Sequence, residues 1–496
     1  MIRIPQRTSE PSSRRLDPKV KRVAIVIVLG SIMSILDTTI VNIALQSLSR
    51  DLHSPLSNTQ WVISAYLLAL AAVIPLSGWA VRRHGAFRVY LVSLILFTVG
   101  SGLCALATSI QELIAFRALQ GIGGGMLVPT GLTILVQTAG PVNLPRVMAA
   151  IGVPIVLAPV FGPTLGGFLL QTVGWHAIFV INLPIGAVTV VAAMRLLPRD
   201  RPKEKVRPRL DWQGLLLAAA GTVGITYGLS ESATTGTFTS TTVWLPMVLG
   251  IGLIAAFVLR SRRIGHPLLD LRLYRARAYT SATVVMFFLG GALFGALILL
   301  PLYFQVARGQ DAIHAGLLLI PQGIGAGIGM NRSAHATRRF GAGLTSLCGG
   351  LILVVATVPF MFVTATTSFV LIGGAMVVRG VGMGLAMMPA MTAAFSALSH
   401  DQINEASPQL NVIQRVGGSL GTAVVAVILQ DKLSRLGPHA TPGATAAAFS
   451  NTYLWVVCMS LVALIPALFL WRIERRTRAL GIESEVGVES LVEAVA

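Results

Sequence analysis

Charged residues are scarce in this sequence. Only 11% of its 496 residues are Asp, Glu, Lys or Arg, and 54% are hydrophobic, whereas an ordinary soluble domain carries about 25% charged residues. Apolar runs of about 20 residues, the length of a helix that crosses a bilayer, recur along the whole chain. The mean hydropathy is +0.76. These features exclude a soluble globular protein and indicate a polytopic membrane protein.

The apolar runs predict an all-α fold with 14 transmembrane helices. An even number of spans places both ends of the chain on the same side of the membrane. The spans are expected near residues 23–45, 58–81, 89–108, 112–136, 147–170, 175–194, 212–229, 243–259, 280–303, 312–330, 344–363, 369–397, 406–429 and 453–471.

Acidic residues are half as frequent as basic ones, 19 against 38, which gives a formal net charge of +19. Such an excess can attract nucleic acid. Here, however, 31 of the basic residues lie in the two tails and in the loops after even-numbered spans, and only 4 lie in the loops after odd-numbered spans. This is the positive-inside pattern. We expect both termini to be cytoplasmic, membrane lipid to be a partner, and nucleic acid not to be one.

Cysteine is nearly absent, and no motif indicates a cofactor. Cys104, Cys348 and Cys458 all fall within predicted spans, where we expect small packing residues rather than a disulfide framework. The eight histidines are scattered without ligand spacing, so no metal site is expected. The glycine series at 121–125 and 323–329 lack the Gly-Lys-Ser/Thr ending of a phosphate loop. We expect neither ATP hydrolysis nor any other enzymatic activity.

Two motif pairs predict an internal repeat. "AVRRHG" at 80–85 is similar to "ATRRFG" at 336–341, and "FRALQGIGGGMLVP" at 116–129 is similar to "VRGVGMGLAMMP" at 378–389. These offsets fit two six-helix halves with two further helices inserted between them, and paired six-helix halves are a known transporter plan. The predicted division is a basic cytoplasmic tail at 1–22, an N-terminal half at 23–194, basic loops with the two inserted helices at 195–279, a C-terminal half at 280–472 and a cytoplasmic tail at 473–496.

Ionisable side chains inside the predicted spans are rare. Away from the span ends the single acid is Asp37, and a carboxylate at that depth costs about 2.5–3.5 kcal/mol on insertion scales, so it is a functional candidate. Ser34, Asp37 and Thr38 share one helical face. The bases inside the spans are Arg117, Arg379 and Arg415.

Two interpretations of Asp37 are open. A static ion pair with Arg117 would only fix helix packing. Alternatively the carboxyl group titrates, since burial favours the neutral acid and a nearby cation favours the charged form. Alternate protonation and pairing with Arg117 would then couple proton entry to substrate exit. For Arg379 and Arg415, lining of a substrate cavity and pairing between helices are both open.

Glycine is abundant, with 50 residues, and several lie in motifs that allow close helix packing. In "GPTLGG" at 162–167, Pro163 also interrupts the helical hydrogen-bond ladder. The other glycines expected to pack helices together are Gly121, Gly123, Gly124, Gly125, Gly417 and Gly421.

Over about residues 20–475, these motifs resemble the major facilitator superfamily, and within it the fourteen-helix drug:proton antiporters of EmrB/QacA type. The resemblance is carried by "LDTTIVNIAL" (36–45), "GWAVRRHG" (78–85), "LIAFRALQGIGGG" (113–125), "GPTLGG" (162–167), "FVINLPIG" (179–186) and "LDWQG" (210–214).

The resemblance implies a role for each motif. Asp37 would be the proton-coupling carboxylate and Arg117 its partner. Gly162, Pro163, Gly166 and Gly167 would form the antiporter motif, which is thought to seal the halves against leak and accompanies export by exchange. The gating loop would contain Gly78, Arg82, Arg83 and Gly85.

Two positions depart from the family pattern. The gating motif usually has an Asp where this chain has Arg82, so the ion pair assigned to that Asp is not expected to form in the usual way. The helix 1 motif usually ends in Pro, where this chain has Gln46.

The expected function is proton-coupled multidrug efflux across the cytoplasmic membrane by alternating access. One carboxylate against three arginines favours hydrophobic neutral, monocationic or weakly acidic substrates over dications. A dedicated exporter of one metabolite, lipid or siderophore and a non-transporting scaffold or sensor are the alternatives. The EmrB-like relatives work with a periplasmic adaptor, which the resemblance raises as a partner here.

Overall fold

The computed structural model describes residues 17–199, 210–265, 267–399, 402–436 and 440–479. Those residues form helices joined by short connections and contain no strand, which confirms the all-α class. Three parts of the chain lie outside the described residues: positions 200–209 of the predicted basic connection 195–211, most of the N-terminal tail, and residues 480–496 of the C-terminal tail.

The α-helices are numbered in chain order. They are α1 (Pro18–Asp51), α2 (Leu56–Thr59), α3 (Trp61–Val73), α4 (Leu76–His84), α5 (Ala86–Leu106), α6 (Ile110–Thr172), α7 (His176–Val180), α8 (Asn182–Leu196), α9 (Trp212–Thr235), α10 (Thr241–Ser261), α11 (Arg277–Leu302), α12 (Ala312–Leu317), α13 (Ile320–Phe340), α14 (Ala342–Thr357), α15 (Phe369–Ser396), α16 (Ile403–Leu436) and α17 (Pro442–Ala479).

Ten helical stretches in the described chain are long and apolar enough to cross a membrane. The pair α3 and α4, bent by 55° at their junction, adds an eleventh if it is one span. Of the other predicted spans, 147–170 lies in α6 beyond the break at Gly140, 212–229 lies in α9, and 312–330 covers α12 and the start of α13. The polytopic class is therefore confirmed, and the number of 14 spans stays a prediction.

Most contacts fall within two groups of helices, α1–α8 and α11–α17, which are called the N-terminal and C-terminal halves below. In the first, α6 packs against α1, α3 and α5; in the second, α15 packs against α13 and α14, and α11 against α16 and α17. Contacts of α6 with α13, α15 and α16 join the groups.

The inserted helices α9 and α10 form a hairpin on the flank of the bundle. Glycines of α9 face the backbone of α10, where a Cβ at Gly224 would lie 2.8 Å from the carbonyl oxygen of Pro246. The hairpin packs against both groups, since α9 contacts α3 and α16. Trp61 of α3 stacks on Tyr227 of α9 with ring centroids 6.1 Å apart.

The repeat motifs at 80–85 and 336–341 adopt the same turn. Gly85 ends α4 with φ 85° and ψ 147°, and Gly341 ends α13 with φ 95° and ψ 161°. Each glycine is followed at once by the next long helix. A positive φ of this kind favours glycine because it has no Cβ, which explains why both motifs end in that residue.

The cysteines differ from expectation. Cys104 is buried as predicted, but Cys348 and Cys458 are exposed, so the prediction that all three pack inside the protein is wrong for two. A small, weakly polar thiol is compatible with either surface of a membrane-spanning helix, so hydrophobic sequence context alone did not distinguish them.

Candidate functional site

Asp37 lies in the middle of α1 and is 1% exposed. It is the only acidic residue in the buried class within the described ranges. The two polar residues predicted to share its helical face are bonded locally: the Thr38 hydroxyl donates to the carbonyl oxygen of Ser34, and the Ser34 and Tyr66 hydroxyl oxygens are 3.2 Å apart. The contact between Ser34 and Tyr66 joins α1 to α3.

Arg117 of α6 pairs with Asp37. Its Nη1 lies 2.5 Å from Oδ2 of Asp37, and its Nε donates to the carbonyl oxygen of Val62 at 3.1 Å. The guanidinium carbon lies 4.1 Å from the ring centroid of Tyr66. With Arg117 0% exposed, the charge of each partner is compensated chiefly by the other, which is the condition under which a buried pair is tolerated.

Two amide side chains complete the site. The Gln120 Nε2 donates to Oδ1 of Asp37 at 3.0 Å, and its Oε1 accepts from Arg117 Nη1 at 2.7 Å. Asn182 Nδ2 lies 3.3 Å from the same Oδ1 and 3.0 Å from the Ser101 hydroxyl. All groups that contact the carboxylate here donate N–H bonds to it, which suits its ionised form.

Gln120 and Asn182 were not among the predicted site residues. Sequence signals existed, since both are amides within apolar runs and Gln120 lies three residues after Arg117, on the same helical face. Asn182 lies in α8, and no spacing rule relates α8 to α1.

The predicted packing glycines bring α6 close to its neighbours around this site. A Cβ at Gly121 would lie 2.5 Å from the carbonyl oxygen of Tyr66, and one at Gly123 would lie 2.6 Å from the amide nitrogen of Phe97. Such distances are too short for a side chain. The other two predicted glycines are packed in the same way, Gly124 against the Tyr66 hydroxyl and Gly125 against Leu70.

The "GPTLGG" segment lies in α6, next to the part of α1 that follows Asp37. A Cβ at Gly166 would lie 3.0 Å from a side-chain carbon of Ile40, and Gly162 faces Thr39 still more closely. Gly167 is also buried. The motif thus brings α6 against α1 within one turn of the carboxylate.

Arg379 of α15 is 2% exposed and has no carboxylate partner within the described chain. Its Nη1 donates to Gln322 Oε1 at 2.8 Å, and its Nη2 to the carbonyl oxygen of Ala292 at 3.3 Å. Its Nε is left without a hydrogen bond there. Arg379 therefore joins α15 to α13 and α11. It occupies the repeat position of Arg117, but no described acid pairs with it as Asp37 pairs with Arg117.

Arg415 of α16 is half-buried and makes no hydrogen bond or ion pair with the residues that the structure describes. It lies close enough to Tyr66, in the other half, for an electrostatic interaction. Two residues further on, Gly417 packs against the backbone of Phe287, and Gly421 against that of Gly291. Close packing of α16 on α11 thus fixes the backbone next to Arg415.

The halves are bonded together at the end of the bundle that carries the basic loops, here called the basic side. Arg82 Nη1 lies 2.5 Å from Oε1 of Glu405, at the start of α16. Gln137 donates to Asn404 at 2.8 Å, and the Ser407 hydroxyl donates to the carbonyl oxygen of Pro129 at 2.8 Å.

The other gating-loop residues support this contact. Gly78 faces the backbone of Asn404, where a Cβ would lie 3.1 Å from the carbonyl oxygen. Arg83 instead lies over the ring of Trp79 at 5.6 Å. Glu405 was missed from the sequence because it lies just outside a predicted span, where acids are common.

The fold and the buried pair define a polytopic helical membrane protein with a compensated charge site in one half. The sequence profile of the Major Facilitator Superfamily matches residues 27–422. The chain belongs to this superfamily, whose members are transport proteins rather than enzymes.

Curated relatives extend the match over most of the chain. A "Multidrug resistance protein B homolog" of Mycobacterium tuberculosis (strain H37Rv) is 41% identical over 418 residues, covering 84% of this chain and 77% of the relative. A "Putative multidrug resistance protein MdtD" of Serratia proteamaculans is 31% identical over 454 residues, covering 91% and 93%. The relatives that match most of this chain thus carry multidrug-resistance names.

A solved structure has the same fold. The human organic anion transporter MFSD10 (TETRAN) superposes with a TM-score of 0.63 at 16% identity, covering 91% of this chain and all of that one. This likeness shows the major facilitator fold alone.

Proposed function

We propose that this protein is a proton-coupled antiporter that exports amphipathic and hydrophobic compounds across the cytoplasmic membrane by alternating access. The observation that carries the proposal is the Asp37 carboxylate, 1% exposed and bonded to Arg117, Gln120 and Asn182. A buried acid with a single compensating cation has two stable arrangements: ionised and paired, or protonated and released from the arginine.

The arrangement observed here corresponds to the ionised member of that pair. Protonation of Asp37 would remove its charge and weaken the bond to Arg117. Gln120 and Val62 already accept hydrogen bonds from the guanidinium, so Arg117 would keep two partners while the carboxyl group moves. The proton gradient would drive the cycle without a cofactor, and each charge that crosses down the potential supplies about 2.3 kcal/mol per 100 mV.

The basic side is proposed to be cytoplasmic, with both termini there and 14 spans in all. Of the contacts between the halves on that side, the Arg82–Glu405 pair is the charged one. It would hold the cytoplasmic entrance closed and open when the halves rock apart. The Gly162–Gly167 segment, packed on α1 beside Asp37, would limit leak while the halves move.

The proposed substrates are neutral, monocationic or weakly acidic amphiphiles. Arg379 and Arg415 leave the C-terminal half with positive charge and no buried acid in the described ranges. Methionines surround the contact between halves, where a Cβ at Gly152 would meet the sulfur atoms of Met330 and Met388. Flexible, polarisable Met side chains adapt to varied apolar ligands. The multidrug names of the relatives agree with this class.

The test is pH-gradient-driven dye uptake into inside-out vesicles at matched expression. Wild type should transport a lipophilic dye, and Asp37→Asn, which keeps the shape of the side chain, should bind the dye but not concentrate it. Asp431→Asn is the matched control, because Asp431 is exposed and paired locally with Arg435. Equal transport by Asp37→Asn would show that the Asp37–Arg117 pair is structural.

Competition separates multidrug export from a dedicated exporter of one metabolite, lipid or siderophore. Chemically unrelated amphiphiles should each slow dye transport. Inhibition by a single class alone would favour the dedicated exporter. Addition of a periplasmic adaptor to the vesicles tests whether such a partner changes the rate.

A further inference from the structure

A cavity of about 670 Å³ lies in the hairpin between α9 and α10, away from the site around Asp37. It is at the basic side, because α9 begins there at Trp212 and α10 ends there at Ser261. Its apolar wall includes Leu216, Leu217 and Leu259, and its charged lining consists of Arg260 and Arg263.

The two arginines differ in how their charge is compensated. Arg260 is paired with Asp211, with its Nη2 3.0 Å and its Nε 3.3 Å from the same carboxylate oxygen. The Arg263 side chain is exposed and has no ion pair or hydrogen bond to any residue of the described chain. Among the described residues, Arg263 is therefore the guanidinium of the cavity that no acid compensates.

The cavity lies beside the close glycine contacts of the hairpin. Farther along the hairpin, glycines bring the two backbones together, and a Cβ at Gly250 would lie 2.7 Å from the carbonyl oxygen of Gly221. At the cavity, α9 and α10 carry larger residues, among them Leu216, Leu217 and Leu259.

We propose that this cavity is a binding site for an anionic phospholipid. The Arg263 guanidinium would take the headgroup phosphate, and an acyl chain would lie along the leucines. The apolar wall favours a lipid over a free phosphate ion, because Leu216 and Leu259, which are 65% and 57% exposed, offer a surface on which an acyl chain can pack. Trp212, 66% exposed at the start of α9, would anchor at the interface between headgroups and chains, where indole rings are enriched.

The binding site would place a lipid in the hairpin that bridges both halves. Anionic headgroups are attracted to basic residues at a membrane surface by about 1 kcal/mol per Lys or Arg. One such contact corresponds to about a fivefold change in a binding constant. This is the size of the effect expected from removal of Arg263.

The experiment measures lipid binding to the purified full-length protein by native mass spectrometry. Phosphatidylglycerol and phosphatidylcholine with identical acyl chains are the probes. Wild type should bind phosphatidylglycerol more tightly, and Arg263→Gln should weaken this binding about fivefold with little effect on phosphatidylcholine. Arg476→Gln is the control, because Arg476 is also exposed on the basic side, in α17, and should leave both lipids unchanged.

A second variant tests the apolar part of the site. Ala256 lines the cavity. Ala256→Phe should fill the cavity and weaken the binding of phosphatidylglycerol, while Arg263 is unchanged. Inorganic phosphate at the same concentration should not displace the lipid. Equal loss in Arg476→Gln, no loss in either cavity variant, or displacement by phosphate would each overturn the proposal.

Discussion

Arg82 and Glu405, 323 positions apart in the sequence, are joined through Nη1 and Oε1 at 2.5 Å. The second carboxylate oxygen of Glu405 accepts the backbone N–H of Asp270 at 2.7 Å. Both side chains are less than a fifth exposed, so water screens the pair only in part. The resemblance implies an acid at position 82, and here Arg82 instead supplies the cation of an ion pair with Glu405.

Breaking this pair should impair transport. Arg82→Gln removes the cation bonded to Oε1 of Glu405, and we expect dye export to fall about tenfold at matched expression. The reversed pair, Arg82→Glu with Glu405→Arg, should recover part of the rate, since contacting residues are energetically coupled. Arg88→Gln, an exposed position in the following helix, is the control. Unchanged export by Arg82→Gln would remove the pair from the gating mechanism.

Variants of the Asp37–Arg117 pair should separate its effect on folding stability from its effect on transport. Arg117→Gln leaves a buried carboxylate without compensation, which costs about 3–5 kcal/mol of stability. The double variant Asp37→Asn with Arg117→Gln removes both charges and should recover most of that loss while transport stays absent. Thermal unfolding in detergent and vesicle transport measure the two effects. Recovery of transport in the double variant would contradict proton coupling.

Helix contact glycines should be sensitive to a single added methyl group. Gly421→Ala in α16 directs a Cβ against the backbone of Gly291 in α11, and overpacking of this kind costs about 1–3 kcal/mol. Gly374→Ala in α15 meets nothing within 4 Å and should be neutral or slightly stabilising because alanine favours helix. The melting temperatures of both variants in the same detergent test this. Equal shifts would mean that α16 and α11 are not tightly packed there.

Arg415 should contribute to substrate choice by charge. Arg415→Gln removes a half-buried cation between the halves, and we expect the apparent affinity for a carboxylate-bearing amphiphile to fall about tenfold while a neutral analogue is unaffected. Competition against dye transport gives both values. Arg435→Gln, whose guanidinium is 76% exposed, is the control. An equal change for the acidic and neutral compounds would indicate a structural role.

The sequence predicted the groups whose chemistry is unusual for their surroundings. Asp37 and Arg117 were identifiable because charge within an apolar run is costly, and Gly85 because a basic turn repeats 256 residues later. Periodicity relates residues on one helix, so it placed Ser34 and Thr38 beside Asp37. It does not relate one helix to another, which is why Asn182 and Glu405 were found only in the folded chain.

The inserted hairpin has a mechanical consequence. Near the end opposite the basic side, α9 is attached to one half through the Trp61–Tyr227 stack and to the other where Gly236 meets Gln430. A rocking motion that separates the halves at this end would strain these two contacts of α9. The restraint would act on the flank that carries the hairpin. The halves would then open asymmetrically, and the substrate would leave on the flank away from the hairpin.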